Sequence, residues 1–241
     1  MLKRILIYVG FFVALVLAFW YFVFKDEDLS RSSLAVINAA VPDFSFTNQN
    51  RKTITGREVD GKVYVAEYFF TTCKGICPKM NANMRRIFDA YKEEADFMIL
   101  SHTCMPETDS VPVLKAYESK MINGKLVQHV DGSFQVEPGD TAKALVNPNW
   151  NFVTGDKTAL YKMARQGYAI DNNKPDSLQN IADQFIHTQF FALVDKQRRV
   201  RGIYDGLKNA EIEKLLEDIK GLLKEKVDHP RFMNGFSNNP N

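Results

Sequence analysis

The sequence holds few of the residues from which small stapled or zinc-built domains are made. Its 241 residues include only 3 cysteines and 4 histidines, which excludes a disulfide-stapled miniprotein. No second Cys/His pair follows Cys73 and Cys77 at finger spacing, which excludes a zinc finger. Net charge is almost absent: Lys+Arg 31 against Asp+Glu 29 leaves +2, so no basic surface calls for nucleic acid. No internal repeat is visible. With 45% hydrophobic and 25% charged residues, the chain is neither collagen-like nor wholly disordered. Its length suits one ordinary domain plus attachments, or at most two small domains.

What is present begins with an apolar run. Ile5 to Phe24 reads ILIYVGFFVALVLAFWYFVF, with Gly10 its one residue outside the apolar set. A helix of about 20 such residues spans a bilayer core. Lys3 and Arg4 precede it and Lys25-Asp-Glu-Asp28 follows, so the positive-inside rule sends the rest of the chain to the non-cytoplasmic (periplasmic or intermembrane-space) side. Trp20 and Tyr21 suit the outer interface. The alternative is a cleaved signal peptide. Against it, the run exceeds the usual h-region and no A-x-A site directly follows. Residues 5–24 are therefore expected to contact membrane lipid. Beyond residue 24 the chain is electrically neutral, so its partners are chosen by local chemistry.

Residues 1–24 form the anchor in this reading, 25–40 a linker, 41–227 one monomeric domain, and 228–241 a flexible tail. Val41–Phe46 opens extended, and Asn48–Arg51 reads as a hairpin turn. Val63–Phe70 is β-rich and nearly all apolar, as for a strand buried on both faces. Pro78 fits the first turn of a helix whose stripe is Met80, Met84, Ile87, Phe88 and Tyr91. Phe97–Leu100 is a short strand, and Asp109 or Ser110 caps a helix with Leu114, Tyr117 and Met121 on one face. Residues 122–148 form an insertion with a hairpin. Trp150–Val153 is a strand, Asp156 caps a helix to about Gln166, and Thr188–Val194 and Val200–Tyr204 make a hairpin. Glu211–Glu225 is the cleanest helix. The order predicts an α/β domain with one mixed sheet covered by helices on both faces.

The chemistry gathers at Thr71-Thr-Cys73-Lys-Gly-Ile-Cys77-Pro78. The cysteines lie where a buried strand gives way to a helix, whose N-terminus favours thiolate. Their spacing allows a disulfide, or shared coordination of one ion. Two thiolates select Cu(I), Zn or iron–sulfur chemistry over hard cations. Two structural thiols, or a purely structural disulfide, are the alternative. His187, just before the Thr188–Val194 strand, is the best third ligand among the histidines. Two thiolates and an imidazole make an S₂N site suited to copper in either oxidation state. Glu67, inside an apolar strand, is either paired at an edge or near the site. His129 and His229 fall in loop-like regions and receive no role, and Met80 and Met84 read as core.

These residues resemble the Sco/SenC family, the membrane-tethered, thioredoxin-like copper proteins of cytochrome c oxidase assembly. The strand followed by T-x-C-x-x-x-C-P is represented by Thr71, Cys73, Cys77 and Pro78. Pro106-Glu-Thr-Asp109-Ser110 looks like the family's P-E-x-D-[ST] loop, and Trp150-Asn-Phe-Val-Thr-Gly155 its W-x-F-x-T-G segment. His187, then Phe191–Asp195, looks like its histidine and following strand. The resemblance covers roughly residues 41–225. It implies a thioredoxin-like fold with Cys73, Cys77 and His187 as ligands of Cu(I) or Cu(II). It also implies delivery of copper to the oxidase subunit carrying the copper A site, or reduction of its thiols, with other copper carriers or thiol reductants as further partners. The sequence departs from the family at Met105, at the third cysteine Cys104, and in the longer 122–148 segment. Cys104 with Met105 and His102 offers extra soft ligands or a resolving thiol, or Cys104 is a small buried residue.

A copper chaperone and a thiol–disulfide oxidoreductase both use this pair. The C-x-x-x-C spacing, and the lack of any proline between Pro175 and Pro230, favour metal binding. A scaffold with a silent site is the third reading.

Overall fold

The computed structural model describes residues 2–24, 34–139, 146–171 and 188–225. The chain divides into two compact units, Met1–Arg31 and Ser32–Asn241. The first holds a single helix, α1 (Leu2–Phe24). Among the described residues this is the one helix long and apolar enough to cross a membrane.

The second unit is organised by the strand that the sequence marks most clearly. All seven residues of β3 (Val63–Phe69) are buried, because both faces of this strand are covered. Val63, Val65 and Phe69 join one core and Tyr64, Ala66 and Tyr68 another, as the two-residue period of a strand requires. The first core is closed by α3 (Cys77–Tyr91), α4 (Val111–Asn123) and α6 (Asn209–Lys224). The second is closed by the short α2 (Gly56–Val59) and α5 (Lys157–Lys162). Met80, Met84, Ile87 and Phe88 are core residues of α3, as their helical spacing implies.

Seven strands form the sheet, in the order β2-β1-β7-β4-β3-β8-β9. Besides β3 they are β1 (Ser45–Asn48), β2 (Thr53–Thr55), β4 (Phe97–Thr103), β7 (Trp150–Thr154), β8 (Phe190–Val194) and β9 (Val200–Asp205). β3, β4 and β7 run parallel, while β1, β2, β8 and β9 each enter antiparallel to a neighbour. Helical crossovers join the parallel strands, and the terminal hairpins supply the antiparallel edges. This is the mixed, helix-flanked sheet of a thioredoxin-like fold.

Three local expectations need correction, and one open choice is decided. β4 continues past Leu100 to Thr103, because polar Ser101, His102 and Thr103 all find buried partners. Of the two candidate caps, Ser110 occupies the N-cap position of α4, without a side-chain cap bond; Asp109 is engaged elsewhere. The helix after Asp156 ends at Lys162 and passes into a π-helical turn, Met163–Gly167. The strand expected from Thr188 begins at Phe190.

Within 122–148 the expected hairpin is β5 (Lys125–Gln128) paired with β6 (Phe134–Glu137). It docks on α3, where the Arg86 guanidinium lies 4.3 Å from the Phe134 ring centre. Asn209 Nδ2 donates to the Gly132 carbonyl at 2.6 Å, which ties the turn to α6. Residues 140–145, the 25–33 part of the linker and the tail from 226 lie outside the described residues.

Candidate functional site

β3 ends at Phe69 and α3 begins at Cys77, so the cysteines sit on the loop leaving the C-terminal end of a central strand. The Phe70 carbonyl anchors the first of them, accepting the Cys73 N–H at 3.2 Å. The Cys73 thiol lies close enough to Cys77 to oppose loss of the Cys77 proton. Cys73 is half-buried and Cys77 is buried, both as free thiols. The sequence predicts a thiol pKa lowered by the helix N-terminus. At Cys77 burial dominates instead and, with the Cys73 thiol, pushes its pKa up; the Phe70 backbone opposes this only in part. Deprotonation of Cys77 is therefore coupled to capture of its proton or arrival of a cation.

Two further elements converge on the loop. β8 pairs antiparallel with β3, Ala66 opposite Ala192, so the start of β8 runs toward the end of β3 that carries the cysteines. Thr188 lies at that start, its hydroxyl donating to the Ile170 carbonyl at 2.5 Å. It lines a small cleft of about 10 Å³ together with Tyr68, Phe69, Phe70, Ile76, Cys77 and Cys104. His187 itself lies outside the described residues.

The second element is the segment after β4. Asp109 is fully buried, and its carboxyl accepts bonds from the Thr71 hydroxyl (2.5 Å), the Thr71 N–H (3.2 Å) and the Thr103 hydroxyl (2.5 Å). The sequence offers Asp109 as one of two candidate helix caps. The signal for its true role is the pair of hydroxyl residues at 71 and 103, which only the parallel pairing of Phe69 with Thr103 brings together.

His102 does not line the cavity beside Cys77, whereas Cys104 reaches it from the opposite core. His102 is fully buried, its ring stacked on Tyr68 at 4.9 Å and edge-on to Phe46 and Tyr168. Cys104 packs in the core on the His102 face of the sheet, whereas Cys77 belongs to the other core. Among the described residues no group of three or more His, Cys, Asp or Glu is arranged to hold a metal ion.

Glu67 is not at an edge, since β3 lies between β4 and β8. It is fully buried and accepts the Ser101 hydroxyl at 2.5 Å, which in turn accepts the Trp150 Nε1–H at 2.8 Å. Its second carboxyl oxygen has no partner. Burial pushes the Glu67 pKa up to about 8, the Ser101 bond opposing, and pushes that of His102 down to about 4. Their effects on stability have opposite signs. Above about pH 4.3, the ordinary pKa of a glutamate, the unfolded chain releases the Glu67 proton that the fold retains, so stability falls as pH rises toward 8. Below about pH 6.5 the unfolded chain protonates His102 and the fold does not, so stability falls as pH drops toward 4. The slopes offset each other between pH 4 and 6.5, and Glu67 alone acts from there to 8. Glu67→Gln is expected to raise the melting temperature at pH 8 by several degrees and to remove the decline above pH 6.5. Melting curves from pH 4 to 9 check this; an unchanged decline contradicts it.

A thioredoxin-like sheet with a dithiol poised between its central strand and the following helix defines a thiol-based redox or soft-metal protein. Comparison with known proteins narrows the class. The SCO1/SenC family model matches residues 35–133 and 139–224, and the chain belongs to that family. The SCO1 protein homolog of Bacillus subtilis is 28% identical over 186 residues, covering 76% of this chain and 83% of its own. The solved structure of BsSco, a member of the Sco family of cytochrome c oxidase assembly proteins in which a disulfide switch was identified, is 27% identical. It superposes with a TM-score of 0.59 over 80% of this chain and 98% of its own. Bradyrhizobium japonicum ScoI, solved with copper bound, shares the fold at 19% identity, with a TM-score of 0.53 over 76% and 99% of the two chains.

Proposed function

We propose that this chain is a copper metallochaperone that carries one copper ion on Cys73, Cys77 and His187 for maturation of the copper A site of cytochrome c oxidase. The observation that carries the reading is the placement of two free thiols, four residues apart, between the exit of β3 and the start of α3, a soft donor pair suited to Cu(I). The position of Thr188, next in sequence to His187, supports the third ligand, because Thr188 lines the same cavity as Cys77. The copper-bound ScoI of the same fold and the role of the Sco family in oxidase assembly support the cargo and the recipient. Copper is cargo here. The thiols must lose their protons to take it up, so uptake weakens as pH falls.

In this reading α1 tethers the domain of residues 41–227, and Lys3 and Arg4 keep the N-terminus cytoplasmic, with the domain on the opposite side. A second reading, a tethered thiol–disulfide oxidoreductase, draws on the unequal exposure of the pair. Half-buried Cys73 would attack a partner disulfide and buried Cys77 would resolve it.

One experiment separates the two. The full chain in detergent is titrated with Cu(I) against a competing chelator, alongside His187→Ala, and both are assayed for reduction of a protein disulfide. The chaperone reading expects one copper per chain and a loss of affinity of about tenfold or more in His187→Ala, since even outer-sphere partners contribute about 10–100-fold. Undiminished affinity in His187→Ala, with rapid disulfide reduction by the parent, selects the oxidoreductase.

A further inference from the structure

Asp109 is engaged by three donors, and none is a cation. A buried carboxyl is costly unless its oxygens are satisfied, so this one holds its neighbours firmly. Two of the three bonds come from Thr71, through its hydroxyl and its N–H, and Thr71 is two residues before Cys73. The third comes from Thr103, the last residue of β4. The segment from Thr103 to Asp109 is itself braced: the Thr103 hydroxyl accepts the Met105 N–H at 2.9 Å, and the Met105 carbonyl accepts the Thr108 and Asp109 N–H groups at 3.1 and 2.9 Å. The start of the cysteine loop is thereby fastened to a rigid turn that α4 follows directly.

The two ends of the loop are held differently. Cys77 opens α3, and the Asn81 amide bonds its carbonyl at 3.0 Å. Among the described residues, the stretch from Thr72 to Gly75 makes one backbone–backbone bond, from the Cys73 N–H to the Phe70 carbonyl, and Thr72, Lys74 and Gly75 are exposed. The position of the Cys73 sulfur relative to Cys77 is therefore set chiefly at Thr71.

We infer that Asp109 is a positioning residue for the dithiol, acting through Thr71 to hold the Cys73 sulfur against that of Cys77. The clamp makes one unit of two motifs, T-x-C-x-x-x-C-P and P-E-x-D, whose bonded residues Thr71 and Asp109 stand 38 positions apart. It pre-organises whatever closes the two sulfurs, a disulfide or a shared ion, by removing loop freedom before closure. The inference rests on Cys73 and Cys77 being the working pair, but not on which of the two chemistries they perform.

The test compares substitutions that share the carboxyl but differ in whether they touch the loop. Thr71→Val removes the hydroxyl bond to the loop at a partly exposed position where valine is accommodated; Thr71→Ser restores it. Thr103→Val removes an equivalent bond from the same carboxyl on the strand side. The full chain in detergent is equilibrated with reduced and oxidised glutathione, and the Cys73–Cys77 disulfide is quantified by alkylation and mass spectrometry. In that exchange the two protein thiols are oxidised to the disulfide as one glutathione disulfide is reduced to two thiols, so electrons and protons balance. Cu(I) affinity by chelator competition and the melting temperature are measured on the same samples.

Thr71→Val is expected to lower the disulfide-forming constant about tenfold and Cu(I) affinity by a similar factor, with Thr71→Ser within twofold of the parent. Thr103→Val is expected to lower the melting temperature while leaving the thiol equilibrium within twofold. Equal shifts in Thr71→Val and Thr103→Val, or none in Thr71→Val, overturn the positioning role. Failure of the parent to bind copper, with the glutathione series unchanged, bears on the proposed cargo and leaves the clamp standing.

Discussion

Cys77→Ser is expected to abolish stoichiometric copper binding, lowering Cu(I) affinity by well over 100-fold. That exceeds the roughly 10–100-fold associated with loss of an outer-sphere partner. The reason lies in the donor set. A serine hydroxyl is a hard oxygen that stays protonated, so the substitution leaves one thiolate where two are required. The fold should tolerate it, since serine differs from cysteine by one atom. Cys73→Ser is expected to lose binding as fully, because both sulfurs belong to the proposed site. Removal of copper from the loaded parent by a Cu(I) chelator should restore two titratable thiols, and the serine variants should show one fewer. Chelator competition, with thiol counting on the same samples, is the measurement. Copper retained within tenfold by either serine variant contradicts the dithiol site.

The second large effect concerns stability, far from the thiols. Arg201 is expected to be the charged residue whose loss damages the fold most. On β9, its guanidinium donates to Asp195 at 2.9 Å, to Glu225 at 3.0 and 3.2 Å, and to the Leu34 carbonyl at 2.8 and 3.1 Å. Only 6% of its side chain is exposed, and only 4% of that of Asp195. One side chain thus joins the β8–β9 turn, the end of α6 and the segment leading into the domain. Breaking a buried pair by deleting one partner costs about 3–5 kcal/mol, because a charge stays behind without its counter-ion. Asp195 retains Arg199 at 2.7 Å, which places Arg201→Ala near the lower end, about 3 kcal/mol. For a domain of this size that corresponds to a fall of about 6–12 °C in melting temperature. Arg201→Met, which keeps the stem and its packing, separates the charge from the volume. Thermal melts of both variants test the claim, and a shift of under about 2 °C for Arg201→Ala refutes it.

Much of the fold is legible in the sequence where a single local force decides. The run Val63–Phe69 reads as a two-faced strand because apolar residues leave no polar face for solvent. The stripe of α3 and that of α6 follow from helical spacing. The Asn48–Arg51 turn is legible from its composition, and Arg51 takes the left-handed φ of 61° there. The lapses occur where a buried partner distant in sequence overrides a local preference. Ser101, His102 and Thr103 look like the end of a strand, yet they extend it because Glu67, the Glu67 carbonyl and Asp109 await them. Asp109 looks like a helix cap, yet its carboxyl turns to the two threonines.

The same division runs through the site. The amino-acid order alone determined which atoms are available: two thiols four residues apart at a strand–helix junction, an imidazole before a later strand, and an apolar segment long enough to span a bilayer. Those are local facts, carried by residue type and short spacing. Tertiary structure alone decided how the atoms are held and what charge they favour. Burial, not the helix terminus, governs the Cys77 proton. Parallel pairing of β3 with β4 brings Thr71 and Thr103 onto one carboxyl, and it places Cys104 in the other core. Desolvation and cross-strand contact depend on neighbours far away in the chain, and their strength is fixed only when the sheet closes around them.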